Sequence, residues 1–206
     1  MTNYDLNEEG FDLSGRHICY VFNEDAERLE VMATFLKKGI AANEKLLYLV
    51  DAMTPEEMLK SLIEMGVDIQ PNSPRFTISN AASAYCPSGT FNPDETLARL
   101  RCFQQAALEE GYAGGRIAGE TNWCLESGHA NKEALMEYEA RVNQLLVKYP
   151  FTACCQYDAR RFDGGTIMDV LNVHPIMIVR GQLVKNPFYI KPEVFLQEYR
   201  ARHKGD

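Results

Sequence analysis

His17 and Cys19, two side chains that can bind metals or take part in nucleophilic chemistry, lie two positions apart in a short apolar segment. Residues two apart in a β-strand point to the same face, so the imidazole and the thiol are predicted to be neighbours. Such a pair could bind a metal ion or form an activated thiolate. The alternative is a hydrogen-bonded core histidine beside a buried thiol. The residues alone favour that alternative, because free cysteine is usually buried as a small apolar side chain.

A metal site would need further ligands, and Cys124 and His129 have a spacing that could supply them. No Cys-x-x-Cys pair supports zinc, so the sequence predicts no metal ligands and no cofactor. A Ser-His-Asp order, a paired-carboxylate motif and a Gly-x-Ser-x-Gly elbow are also absent from the sequence. We therefore expect no catalytic residues and a protein that is not an enzyme.

Short apolar segments alternate with amphipathic ones along the chain. Near-continuous apolar runs at residues 17–22, 46–50, 75–79, 115–119, 152–157 and 175–179 predict parallel strands that are covered on both faces. Helices are predicted between them, two of them beginning at Thr54-Pro55 and Asn92-Pro93. The fold class is therefore α/β, with a three-layer, mainly parallel sheet and helices on both faces. Residues 1–15 are predicted to be an N-terminal arm and residues 16–206 a single domain.

Ligands of such sheets bind beyond the carboxyl ends of the strands. Polar and aromatic residues follow the predicted strands there, and we expect a small organic ligand to bind among them. The expected ligand-binding residues are Asn23, Glu24, Asp51, Tyr85, Glu120, Trp123, Tyr157 and Asp158, together with His17 and Cys19. His17 stands at the start of its strand, so it is either structural or the strand begins earlier than predicted.

Several of these residues have a simpler structural interpretation. Glu120 could cap the next segment instead of contacting a ligand, and Trp123 could be ordinary core or rim packing. Asp158 with Arg160 and Arg161 could orient an anion, but an ion-pair cluster is the favoured interpretation.

The turn after the first strand carries no glycine and no lysine. It contains Glu24, Asp25 and Glu27, which favour a helix N-terminus but would repel a triphosphate. Asn23 is predicted to cap this helix. The turn is interpreted either as a nucleotide site rebuilt for another ligand or simply as a well-capped helix, and the residues alone favour the second.

Motifs spread over residues 16–195 resemble those of the MEDS domain, the sensory domain named for methanogens, methylotrophs and the dichloromethane-responsive regulator. They are His17-x-Cys19-x-x-Phe22, Gly119-Glu120-x-x-Trp123, Tyr138-Glu139-x-Arg141-x-Asn143, Cys155-Gln156-Tyr157-Asp158-x-x-Arg161-Phe162, Leu171-x-x-His174-Pro175 and Asn186-Pro187-Phe188-Tyr189. The layout of residues 16–51 also looks like the RecA/KaiC group of ATPases. The resemblance implies a RecA/KaiC-like fold without the Walker A phosphate loop, and a role in sensing small hydrocarbon derivatives or C1 compounds.

The resemblance also implies a signalling partner, since such domains are usually joined to a DNA-binding or histidine-kinase module. We expect output through a histidine kinase or transcription-regulator partner, and a homodimer is compatible with this. A net charge of −8 argues against direct nucleic-acid binding, and the chain is expected to be cytoplasmic, without membrane contact. Two alternatives stay open: a divergent RecA/KaiC-like nucleotide-binding protein or ATPase, and an interaction module without a ligand.

Overall fold

A computed structural model describes residues 4, 6, 7, 15–71, 73–126 and 132–203. Its strands are β1 (Arg16–Phe22), β2 (Lys45–Val50), β3 (Phe76–Asn80), β4 (Gly115–Glu120), β5 (Thr152–Asp158), β6 (Ile176–Val179) and β7 (Gln182–Lys185). Its helices are α1 (Asp25–Ala41), α2 (Pro55–Glu64), α3 (Ala81–Tyr85), α4 (Pro93–Glu109), α5 (Lys132–Lys148), α6 (Gly164–Val173) and α7 (Pro192–His203). A short 3-10 helix, Asn122–Leu125, follows β4.

The seven strands form one sheet in the order β3-β2-β4-β5-β1-β6-β7. All neighbouring pairs are parallel except β6 and β7, which form an antiparallel pair at one edge. In the central register His17 lies opposite Ala153, and Cys19 lies opposite Cys155. The predicted α/β class with a mainly parallel sheet is therefore confirmed.

Two apolar cores cover the two faces of the sheet. Helices α1 and α2 pack on one face, where Met32, Leu36 and Met58 are fully buried. Helices α3 to α7 pack on the other face, around residues such as Trp123 and Met136. Cys154 contributes to the first core and its neighbour Cys155 to the second, as the alternation of a strand predicts.

Helix starts follow the sequence signals at two positions and depart from them at one. Thr54 and Glu57 form the expected capping box at α2, and the Asn92 side chain accepts amide hydrogen bonds at the start of α4. The expectation that Asn23 caps α1 is wrong. Glu24 occupies the cap position, without a side-chain cap, and α1 begins at Asp25.

Helix α3 and strand β7 are among the elements that were not predicted from the sequence. Helix α3 has only five residues, too few to show a helical repeat, and is capped by the Asn80 side chain. Strand β7 forms a hairpin with β6 through Arg180 and Gly181, both of which have positive φ angles. Such angles suit a two-residue hairpin turn, but an arginine gives little sequence signal for one. Among the described residues, no helix is long and apolar enough to cross a bilayer.

Candidate functional site

A buried polar network lies on the face of the sheet that α1 covers. Glu120, the last residue of β4, forms an ion pair with Arg28 of α1, and both side chains are at most 2% exposed. Tyr48 on β2 donates a hydrogen bond to the same carboxylate oxygen at 3.1 Å. The other oxygen accepts from the backbone amides of Asp51 and Ala52 at 2.8 and 2.7 Å. The Glu120 carboxylate is thus held by four donors of the chain itself.

Asp51 follows β2 at the carboxyl edge of the sheet and is half-buried. Burial, followed by the negative charge of Glu120, raises the pKa of Asp51 to about 6, although a hydrogen bond from the Trp123 backbone lowers it. Three polar side-chain atoms at this edge, Asp51 Oδ2, Asn122 Oδ1 and Trp123 Nε1, are buried and have no hydrogen-bond partner among the described residues. Buried polar atoms without a hydrogen-bond partner are uncommon in folded proteins, so this edge is a candidate ligand-binding site.

Aromatic rings pack beside these atoms on the other face. Trp123 stacks on Tyr85 with a centroid separation of 4.7 Å and lies 4.9 Å from Phe91. Tyr138 of α5 meets Tyr85 edge-on. Trp123 is fully buried and Tyr85 nearly so. Among the described residues, one surface groove lies between α4 and α5 and another lies on α2, both away from these rings.

A charged cluster follows β1 and β5 at the same edge. Arg160 forms hydrogen-bonded ion pairs with Asp158 at 2.7 Å and with Asp25 at 3.0 Å. The hydrogen bonds from Arg160 hold the pKa values of both carboxyls below their usual range. Asn23 and Glu24 are exposed beside them. Arg160 therefore pairs with Asp158 as the ion-pair interpretation predicted, and Asp25 is a partner that was not predicted.

A second group of reactive side chains is buried under α5 and α6. His17 Nε2 lies 3.0 Å from Glu139 Oε2 and 3.5 Å from Cys155 Sγ. The same Glu139 oxygen lies 3.5 Å from Cys155 Sγ and 3.6 Å from His174 Nε2. The four side chains are between 0 and 5% exposed. We call them the His–Glu–Cys–His cluster.

Hydrogen bonds to neighbouring residues orient the side chains of the His–Glu–Cys–His cluster. His17 Nδ1 lies 3.3 Å from Asn143 Oδ1, and the Asn143 amide nitrogen donates to the Val173 carbonyl at 2.7 Å. His174 Nδ1 lies 2.8 Å from the Val170 carbonyl. The Tyr157 hydroxyl donates to Glu139 Oε1 at 2.7 Å.

Burial and charge perturb the titration of these groups. Burial opposes ionisation of Glu139, but the hydrogen bond from His17 and the nearby imidazoles lower its pKa overall. Burial lowers the pKa of His174 to about 3, with a further contribution from His17. Burial and the Glu139 charge raise the pKa of Cys19 to about 12 and that of Cys155 well above its usual value.

The ten predicted ligand-binding residues thus fall into two groups. Asn23, Glu24, Asp51, Tyr85, Glu120, Trp123 and Asp158 lie at or near the carboxyl edge, whereas His17, Cys19 and Tyr157 face α5. Strand β1 begins at Arg16, so His17 stands near its start, as expected. His129 lies outside the described residues.

Sequence reasoning interpreted Cys155 as a core residue and assigned no functional role to Arg28, Glu139 or His174. Glu139, Cys155 and His174 occur in the motifs that carry the family resemblance, but they are far apart in the chain and no spacing rule joins them. Arg28 is one basic residue in an acidic turn region. Its pairing with Glu120 could be found only from the fold.

Comparisons with known proteins agree with the architecture. The chain is 28% identical over 161 residues to the transcriptional repressor DcmR of Methylorubrum extorquens, covering 77% of this chain and 57% of that protein. Its fold is similar to a KaiC-like protein from Pyrococcus horikoshii, with a TM-score of 0.58 and 12% identity over 84% of this chain and 73% of the other. The second likeness concerns the fold alone.

A family model described as the methanogen/methylotroph, DcmR sensory domain matches residues 16–175, which is most of the chain. These residues contain β1 through α6, and with them both the carboxyl edge and the His–Glu–Cys–His cluster. The chain therefore belongs to the MEDS family of sensory domains.

Proposed function

We propose that this protein is a cytoplasmic sensory domain that binds a small organic molecule at the carboxyl edge of its sheet and signals through a regulatory partner. Family membership supports the sensory role, and the repressor relative supports an output in transcriptional regulation. Because the chain spans 57% of that relative's length, the mode of output is part of the proposal.

The observation that carries the choice of site is the group of unpaired polar atoms after β2 and β4. Asp51 Oδ2 and Asn122 Oδ1 are acceptors, Trp123 Nε1 is a donor, and all three are buried. The rings of Trp123 and Tyr85 supply an apolar wall nearby. A ligand with one hydroxyl or carbonyl group on a small apolar body matches this combination, because ligand pockets pair apolar walls with a few placed polar groups.

Nucleotide binding is the second candidate, since the fold is similar to a KaiC-like protein. Glu120 ends a central strand, where an acid could prepare water for hydrolysis, but its carboxylate already accepts four hydrogen bonds within the chain. A triphosphate placed at the start of α1 would meet the carboxylates of Glu24 and Asp25, where a phosphate-binding loop has a lysine. Both features disfavour phosphate chemistry.

The proposal can be tested by calorimetry and by the fluorescence of Trp123, the single tryptophan of the chain. The probes are dichloromethane, methanol and butanol, each titrated into the full chain, with Mg²⁺-ATP in a parallel experiment. We expect saturable heat and a shift of the tryptophan emission with at least one organic probe. Asp51→Asn should weaken that binding by about 10-fold, as expected when one hydrogen-bonded group worth ~1.4 kcal/mol is altered.

Asp68→Asn serves as the matched control, because Asp68 is exposed in the loop after α2. This variant should bind the probes like the wild type. Saturable binding of Mg²⁺-ATP at micromolar concentration would overturn the proposal in favour of a nucleotide-binding protein. No binding of any organic probe or nucleotide would favour an interaction module, for which a partner could use the groove between α4 and α5.

A further inference from the structure

We infer that His17, Glu139, Cys155 and His174 form a binding site for a divalent transition-metal ion, with Zn²⁺ as the ion that fits best. The four residues offer one ligand atom each, and all four atoms lie within 4.8 Å of one another. Histidine nitrogen, cysteine sulfur and carboxylate oxygen are the donors that zinc uses in proteins. This site is independent of the organic ligand proposed above.

Four of the six separations between the donor atoms are close to those of tetrahedral coordination. Bonds of about 2.0 Å to nitrogen or oxygen and about 2.3 Å to sulfur place a nitrogen and a sulfur about 3.5 Å apart, and two light atoms about 3.3 Å apart. His17 Nε2 and Cys155 Sγ are 3.5 Å apart, and Cys155 Sγ and Glu139 Oε2 are also 3.5 Å apart. The two imidazoles lie 3.0 and 3.6 Å from the Glu139 oxygen.

The hydrogen bonds of His174 indicate that a cation belongs between these donors. Its Nδ1 lies 2.8 Å from the Val170 carbonyl, which can only accept, so Nδ1 carries the proton and Nε2 presents a lone pair. Nε2 is buried and has no hydrogen-bond partner among the described residues. It faces Glu139 Oε2, which is itself an acceptor when ionised. Two acceptors that face each other in a dry interior repel, and a metal ion bound between them would remove that repulsion.

The surrounding residues orient the ligands as outer-shell partners of metal sites do. Asn143 accepts from His17 Nδ1, and because its amide nitrogen is bound to the Val173 carbonyl, its oxygen is turned towards the imidazole. His17 Nε2 is thereby directed into the cluster, where it would exchange its hydrogen bond to Glu139 for a bond to the ion. Tyr157 binds the outer oxygen of Glu139 and leaves Oε2 for the centre. Metal-ligating histidines almost always donate their other ring nitrogen in this way.

The charge of the site also balances. When Cys155 releases its proton to bind the ion, two neutral imidazoles, one carboxylate and one thiolate carry two negative charges, which a divalent cation cancels in the apolar interior. Four protein ligands leave no open position, as in structural rather than catalytic zinc sites. The ligands come from β1, β5, α5 and the C-terminal end of α6, so the ion would fasten both helices to the sheet.

The test measures metal binding by the full chain, purified without added metal and then freed of metal with a chelator. Zinc content after reloading is measured by mass spectrometry, and Co²⁺ is titrated while absorption is recorded. We expect one ion per chain, with the visible bands of tetrahedral cobalt and a thiolate-to-cobalt charge-transfer band. Cys155→Ser should abolish the charge-transfer band, and His174→Ala should weaken affinity by more than ~100-fold.

Cys154→Ser is the matched control, because Cys154 is the adjacent buried cysteine and points to the opposite face of the sheet. It should keep the wild-type spectrum and stoichiometry. Asn143→Ala, which removes an outer partner, should weaken affinity by ~10–100-fold. If the ligand variants do not fold, the cobalt spectrum of the wild type decides alone. Failure to bind a stoichiometric ion, or tight binding without the thiolate band, would overturn the inference.

Discussion

Arg28 of α1 and Glu120 of β4 form an ion pair that is buried on both sides and ties the first helix to the carboxyl edge of the central sheet. A buried pair is neutral as a unit, but removal of one partner leaves an uncompensated charge in the interior. The pair therefore favours the one arrangement in which Arg28 and Glu120 meet, even if it adds little to the free energy of unfolding.

Arg28→Met should lower the free energy of unfolding by about 3–5 kcal/mol, because Glu120 then keeps its charge without its partner. The double variant Arg28→Met with Glu120→Gln should recover part of that loss. Urea denaturation at neutral pH measures both. Lys60→Met is the control, since Lys60 and Glu64 form an exposed pair on α2 that should be worth less than ~0.5 kcal/mol. Equal losses in the two single variants would contradict the assignment of Arg28 to a buried pair.

Asp51 should make the stability of the protein depend on pH. Its pKa is raised to about 6 in the folded state, chiefly by burial, above the ~3.9 of an unfolded chain. The folded state therefore binds this proton more tightly. The contribution of Asp51 to stability is favourable below the unfolded value and is lost as the pH rises through 6.

Asp51→Asn removes this titration while keeping an oxygen for the Trp123 amide. We expect the variant to have a higher urea midpoint than the wild type at pH 7.5, and the difference to shrink as the pH falls to 4. Asp68→Asn, at an exposed position, should follow the wild type throughout. A difference that grows at low pH would show that the sign of the shift is wrong.

Arg160 should couple α1 to the end of β5 in a salt-dependent way. Its hydrogen bonds lower the pKa values of Asp158 and Asp25, so the stabilisation it provides is present above the unfolded values and is lost as the pH falls through the folded ones. Arg160→Leu should reduce the urea midpoint at pH 7 but not at pH 2. Because the arginine is half-exposed, 1 M salt should shrink the effect at pH 7. An effect unchanged by both acid and salt would point to lost packing on Phe22 instead.

The sequence predicts a structural element well when the signal for that element lies within a few neighbouring residues. The apolar run at 152–157 and the capping box at Thr54 are local, and strand β5 and helix α2 follow them closely. Asn23 failed as a cap because the chain enters α1 one residue later, through Glu24.

The His–Glu–Cys–His cluster shows the limit of local signals. His17 suggested metal chemistry, but its expected partner was Cys19 on the same strand. The chain instead contributes Cys155, from the neighbouring strand, together with two ligands from helices. Contacts between residues more than 120 positions apart, as His17 and Glu139 are, depend on strand order and helix placement, which no single spacing encodes.

Gly119 is required by the aromatic packing on the carboxyl edge. A Cβ atom at this position would lie 2.6 Å from the Tyr85 hydroxyl, which is too close for any unstrained contact. Tyr85 in turn stacks on Trp123, so the added methyl group should displace the aromatic pair. Gly119→Ala is expected to cost about 1–3 kcal/mol in the free energy of unfolding, with a shift in tryptophan emission.

Removal of the Tyr85 hydroxyl would leave space for a Cβ atom at position 119. Tyr85→Phe alone should cost about 1 kcal/mol, because the Tyr85 hydroxyl loses its hydrogen bond with Tyr138. In the Gly119→Ala background the same change should restore stability, so that the two changes couple favourably. Gly164→Ala is the control, because a Cβ atom there meets nothing within 4 Å, and its effect should stay within ~0.5 kcal/mol. Additive losses in the double variant would mean that Tyr85 is not the atom that Gly119 accommodates.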